Sequence, residues 1–196
     1  MSRGLTRYRS RDSIFFLICF LIFSSFAFAH TDKFGNPDTI RITVLQDDSS
    51  KQVQVKVFLS NDEDIVAITV PIKFGEIGKE PDLYLDSVSF HGTRVDYFQW
   101  QSAWLDSSEN RLKIGLISTI SSNVPMLKPG AGDIAKIFFT IKENAKPQEI
   151  ILDTCLVKPS ITLQIVHEDN KRKLFNFTPV FDNTKGKIVI KQTVGR

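Results

Sequence analysis

Both tryptophans of the chain fall within five positions, in Tyr97-Phe98-Gln99-Trp100 and Trp104. Flat aromatic faces stack on sugar rings and also anchor protein partners, where Trp and Tyr are enriched. Tyr97, Trp100 and Trp104 are therefore the candidate ligand-binding residues. Their spacing cannot turn all three rings to one side of a single strand, so part of the cluster is expected at the surface. Filling the core is the competing role, because large aromatics are mostly buried.

The three histidines offer a second chemistry. If a leader is removed after Ala29, His30 becomes the N-terminus, and its amino group and imidazole together resemble the copper brace of lytic polysaccharide monooxygenases. The second imidazole would come from His91 or His167, with Tyr97 near the axial position. His91 lies in Phe90-His91-Gly92-Thr93, which reads as a strand-end turn, and His167 precedes Glu168-Asp169 in a polar hairpin. Asp47-Asp48 and Asp62-Glu63-Asp64 supply hard oxygens suited to a structural calcium, without the spacing of a dedicated calcium loop. No other cofactor is expected. The chain has no Gly-x-Ser-x-Gly elbow, no His-Glu-x-x-His pair and no phosphate-binding glycine loop. No carboxylate stands out as half of a glycoside-hydrolysis pair. The expectation is that the protein is not an enzyme.

Residues 1–29 read as an export signal. Arg3, Arg7, Arg9 and Arg11 precede an apolar run from Ile14 that closes on Ala27-Phe28-Ala29, with small residues where a signal peptidase reads them. The apolar stretch is shorter than a membrane span needs, and Cys19 sits inside it rather than in a lipobox. Removing the segment lowers the basic residues from 25 to 21 and the acidic ones from 22 to 21. The remainder is near neutral, so the pI of 8.8 mostly reflects the leader and nothing points to nucleic acid or an anionic membrane. Only Cys155 survives, so no internal disulfide is available and Cys155 reads as a small core residue. The expected location is exported: periplasmic, extracellular or cell-surface, with no membrane association after cleavage.

Strands must position these candidates. Val53, Val55, Val57 and Leu59 alternate with Gln54, Lys56 and Phe58, and Val66, Ile68, Val70, Ile72 and Phe74 alternate with Ala67, Thr69, Pro71 and Lys73. The polar turn at 60–64 between them suggests neighbouring antiparallel strands, and Pro71 suggests an edge or a bulge. Further strands are expected at 39–46, 83–90, 94–100, 111–118, 133–142, 149–153, 163–167, 175–181 and 187–190. The stretches Pro129 to Asp133 and Asp182 to Gly186 read as turns, Lys171-Arg172-Lys173 as a hydrated hairpin tip, and 121–127 as room for one helical turn. Many short strands in one domain predict an all-β sandwich. The divisions are a leader at 1–29, an N-terminal extension at 30–38, a sandwich at 39–191 and a tail at 192–196.

Three segments carry a resemblance. Val53 to Phe74, ending in Ile65-Val66-Ala67-Ile68-Thr69-Val70-Pro71-Ile72-Lys73-Phe74, resembles the opening of cohesin domains and their carbohydrate-binding-module relatives. Gly130-Ala131-Gly132-Asp133-Ile134-Ala135-Lys136-Ile137-Phe138-Phe139-Thr140-Ile141-Lys142 is similar to that family's passage from a Gly/Asp turn into a long central strand, and Gly186 to Ile190 to its closing strand. The resemblance implies an antiparallel jelly-roll sandwich of about nine to eleven strands and no catalysis. It implies a secreted module that binds a dockerin-like protein partner in cell-surface or extracellular assembly, or else polysaccharide through exposed aromatics. It places the partner face at Ala67, Thr69 and Lys73. Many dockerin-binding cohesins carry Asn and Asp where this chain has Ala67 and Thr69, a departure from the family pattern that bears on cognate dockerin binding.

Overall fold

Runs of β-branched residues at period two have one way to bury their apolar side, as strands of packed sheets. The computed structural model describes residues 34–191 apart from 48, 49, 77, 81, 119–124 and 159. Among them thirteen strands form: β1 Thr39–Gln46, β2 Gln52–Asn61, β3 Ile65–Lys73, β4 Leu83–Ser89, β5 Trp100–Asp106, β6 Arg111–Ile117, β7 Gly130–Ile141, β8 Gln148–Ile151, β9 Asp153–Thr154, β10 Gln164–Glu168, β11 Leu174–Phe177, β12 Val180–Lys185 and β13 Lys187–Ile190. One sheet runs β12-β1-β2-β7-β4 and the other β11-β10-β3-β6-β5, with β9 paired to β3; β13 and β8 form a third, two-stranded pair.

The core lies between the two large sheets. Val53, Val55, Val57 and Leu59 of β2 and Ile134, Ile137 and Phe139 of β7 face Ile68, Val70 and Ile72 of β3 and Leu112, Ile114 and Leu116 of β6, all buried. Phe74 and Phe139 meet inside it with ring centroids 5.3 Å apart. The expected all-β sandwich is thus the observed architecture. Every pairing is antiparallel except β1 with β12, which is parallel.

Several local expectations are corrected. β2 and β3 do not pair: the turn between them carries the chain from one sheet to the other. Residues 94–100 form turns rather than a strand, and the strand there is β5, which begins at Trp100. The single strand expected at 175–181 is two strands in different sheets, split where Pro179 has no N–H to donate. The predicted turns at 129–133 and 182–186 largely belong to β7 and β12. At 149–153, β8 gives way to β9. Pro71 sits inside a central strand, but on its β10 side the pairing stops at Thr69 and resumes with β9 at Ile72. Its missing donor falls in that gap. The possible helical turn at 121–127, the leader and the tail lie wholly or largely outside the described residues. The hairpin tip is as read: Asp169 accepts the amides of Lys171 (2.8 Å) and Lys173 (2.9 Å), and Arg172 takes φ of 61°.

Candidate functional site

The outer face of the β10-β3-β6-β5 sheet gathers both sets of predicted residues. On β6, Leu112, Ile114 and Leu116 point inward, so Arg111, Lys113, Gly115 and Ile117 point out. Register then builds the face in rows. Ala67 lies opposite Ile117, which lies opposite Trp100; Thr69 opposite Gly115, opposite Ser102; Pro71 opposite Lys113, opposite Trp104; Lys73 opposite Arg111, opposite Asp106. β10 extends the first two rows with Val166 and Gln164.

The centre of this face is floored by small side chains. A Cβ on Gly115 would stand 2.9 Å from the Ser102 hydroxyl oxygen, which donates to the Gly115 carbonyl at 3.2 Å. Trp100 and Trp104 rise from one margin at 52% and 48% exposure. Four residues apart on one strand, they stand about 13 Å from each other. Lys113 Nζ lies 5.4 Å from the Trp104 ring centroid, a cation–π contact that holds the indole against the sheet. Toward the other end the face becomes charged, where Lys73 pairs with Asp153 at 3.5 Å.

Tyr97 does not join the tryptophans on that strand. It sits in the preceding turn, donates its hydroxyl to the Met126 carbonyl at 3.2 Å, and packs edge-on against buried Phe98 with centroids 5.3 Å apart. Burial pushes its hydroxyl above the usual tyrosine range. Sequence reading missed Gly115, Ile117, Ser102, Lys113 and Val166. The signal for the β6 members was present, since the inward alternation of Leu112, Ile114 and Leu116 leaves their neighbours facing out.

The same turn is locked by Arg94. Its guanidinium donates to the carbonyls of Leu59 (3.1 Å), Gly130 (3.0 Å) and Lys128 (2.7 Å) and to Asn61 Oδ1 (2.8 Å). Gly130 and Gly132 make room for that side chain: a Cβ on Gly132 would lie 2.8 Å from Arg94 Cδ.

The candidate metal ligands separate. His30 and Asp48 lie outside the described residues. His167 Nδ1 lies 2.7 Å from the Asp64 carbonyl, and its ring packs 4.9 Å from Phe34 and 6.4 Å from Phe175. His91 is almost fully in solvent, with Nδ1 3.3 Å from Asp96. Asp64 pairs with Lys128 at 2.8 Å. Asp62 and Glu63 instead meet Asp38, each offering a carboxylate oxygen within 4.8 Å of the others, a donor set of the kind a calcium ion takes. The Asn36 amide, donating at 2.8 Å, holds the Asp62 carboxyl below its usual range. Cys155, expected in the core, instead lies half-buried outside it, and burial raises its thiol pKa.

No protein-family model matches the sequence, and no curated protein matches it either. Solved structures do match. The seventh ScaB type I cohesin from Pseudobacteroides cellulosolvens superposes with a TM-score of 0.59 at 16% identity, over 81% of this chain and 94% of that one. The Coh-OlpA-Doc918 cohesin–dockerin complex from Clostridium thermocellum gives 0.61 at 14% identity, over 80% of this chain and 100% of the matched chain. This is the cohesin fold. A non-cellulosomal cohesin from the archaeon Archaeoglobus fulgidus matches at 0.50 and 14% identity, over 80% of this chain and 92% of that one. Each of these matches spans about four fifths of this chain, at 14–16% sequence identity.

Proposed function

We propose that this cohesin-like domain is a non-catalytic binding module that holds a protein partner on the outer face of the β10-β3-β6-β5 sheet. One observation carries the reading: a sheet face on which the small row Thr69, Gly115 and Ser102 lies beside Ala67 and Ile117 and is bordered by Trp100 and Trp104. Small side chains leave a flat floor, and half-exposed indoles at the margin supply the large rigid anchors typical of interface hot spots. The solved complexes of similar fold pair a cohesin with a dockerin, which supports a protein as the ligand class. A surface or extracellular assembly role follows from the leader-like N-terminal sequence and belongs to the same proposal.

A second reading is favoured by the two indoles themselves. Trp100 and Trp104 are exposed on one face of one strand, a platform on which a polysaccharide could stack. The two readings divide on Thr69. The immobilised wild-type chain, offered secreted proteins of its own source, is expected to retain a partner that Thr69→Arg and Trp104→Ala both lose, with circular dichroism unchanged. Retention unaffected by Thr69→Arg overturns the protein reading. Binding to insoluble polysaccharide that Trp100→Ala and Trp104→Ala abolish but Thr69→Arg leaves intact establishes the other.

A further inference from the structure

The two large sheets end in four edge strands, and three of them carry a device that discourages pairing with another chain. β4 has a register shift between Leu85 and Ser87 that places Asp86 in the break, β12 is irregular opposite Arg41 to Thr43, and β11 has only four residues. β5 carries none. Its seven residues, Trp-Gln-Ser-Ala-Trp-Leu-Asp, contain no Lys, Arg, Pro or Gly, and they follow β6 without a register break. Among the described residues no strand pairs with its outer side.

Ladder alternation shows which backbone groups that edge presents. Phe74 N–H donates to the Asn110 carbonyl at 2.9 Å and Ser118 N–H to the Val66 carbonyl at 2.8 Å. Bonded pairs between β3 and β6 therefore fall on Leu112, Ile114 and Leu116, and the alternate β6 residues turn toward β5. Their partners Trp100, Ser102 and Trp104 bond inward, so the N–H and C=O of Gln101, Ala103 and Leu105 point to the open edge.

We infer that β5 pairs antiparallel with β5 of a second copy of this chain, about a two-fold axis at Ser102. The segment Trp100-Gln101-Ser102-Ala103-Trp104 is nearly palindromic about that residue. In this register Gln101 and Ala103 exchange both backbone bonds with Ala103 and Gln101 of the second copy. Trp100 falls opposite the copy's Trp104, and the reverse, at the non-bonded positions where cross-strand side chains lie closest. Asp106 falls opposite Phe98, so like charges do not meet. The result is one sheet continued through two molecules, with four indoles on a common outer face.

Sedimentation equilibrium of the full chain is expected to show a dimer. Ala103→Pro removes only an outward N–H, leaving the ladder to β6 intact, and is expected to give a monomer with native circular dichroism, whose melting temperature no longer depends on protein concentration and which still retains a partner on the outer face. Ala103→Lys sets a charge beside the axis and gives the same result without a backbone change. With Cys19 and Cys155 replaced by Ser, Ser102→Cys is expected to form a disulfide dimer on mild oxidation, since paired Cα atoms at that position lie about 4.5 Å apart. Ala103→Cys is not, its two copies standing roughly 8 Å apart. A full chain that is monomeric at every soluble concentration overturns the inference, as does a dimer that survives both Ala103 variants.

Discussion

Arg94 shows how one side chain can fix the chemistry around it. Its guanidinium serves carbonyls from β2, from β7 and from the residue two before β7, so the turn bearing Tyr97 is bolted to the opposite sheet. Arg94→Met would leave those acceptors short of a donor, costing about 3 kcal/mol. For a domain of this size the melting temperature is expected to fall by about 6–12 °C. Gly132→Ala should also destabilise, because the new methyl meets the Arg94 stem at 2.8 Å. Combined with Arg94→Ala its cost should largely vanish, a coupling that a double-mutant cycle by thermal denaturation measures. None of this was legible in the sequence. Gly130 and Gly132 read as turn residues, since nothing local reveals that a long side chain 36 and 38 positions away needs the space.

At the level of elements, legibility followed pattern strength. β1 and β13 lie where alternation put them, and β2, β3 and β6 differ by a residue or two, because one buried face imposes an unambiguous period. Edge strands carry a weaker signal. β5 has both faces partly exposed, so its Trp-Gln-Ser-Ala-Trp pattern does not alternate in hydrophobicity, and the neighbouring Arg94–Trp100 stretch was favoured in its place. The β1–β12 pairing was invisible for another reason: a parallel contact between the ends of the domain leaves no local mark. Asp182 of β12 reinforces it, accepting from the Thr184 hydroxyl at 2.7 Å and from Arg41 Nε of β1 at 2.7 Å, and those bonds lower its pKa from 3.8 to about 2. A depressed carboxylate stabilises the fold above its unfolded pKa, and that contribution fades as pH falls toward the folded value. Asp182→Asn should therefore melt below wild type at neutral pH, with the difference shrinking between pH 4 and pH 2. Calorimetry across that window checks it; a difference constant with pH would show that the ionised form is not what matters.

Across the whole molecule, the fold class and the family likeness were readable, and so was the presence of two candidate surfaces. That they are one surface was not. Ala67 and Thr69 on β3 and Trp100 and Trp104 on β5 share a face only because β6, carrying Gly115, threads between them. The segment read as a mere N-terminal extension also belongs to the fold. Phe34 packs 4.9 Å from His167 and 5.0 Å from Phe175, the Asn36 amide bonds Asp62, and the Asp38 carbonyl accepts from Val180 N–H at 2.8 Å. These few residues touch strands of both large sheets. Phe34→Ala is expected to lower the melting temperature by about 3–6 °C, with the outer sheet face still competent to bind. An unchanged melting temperature would return the segment to the status of a tail.

The parallel seam between β1 and β12 has a consequence in time. β1 is laid beside a strand more than a hundred residues later, so the five-stranded sheet cannot close until β12 has been synthesised. Contacts of such long sequence separation make for slow folding. A chain arrested before Val180 would keep that side of β1 bare.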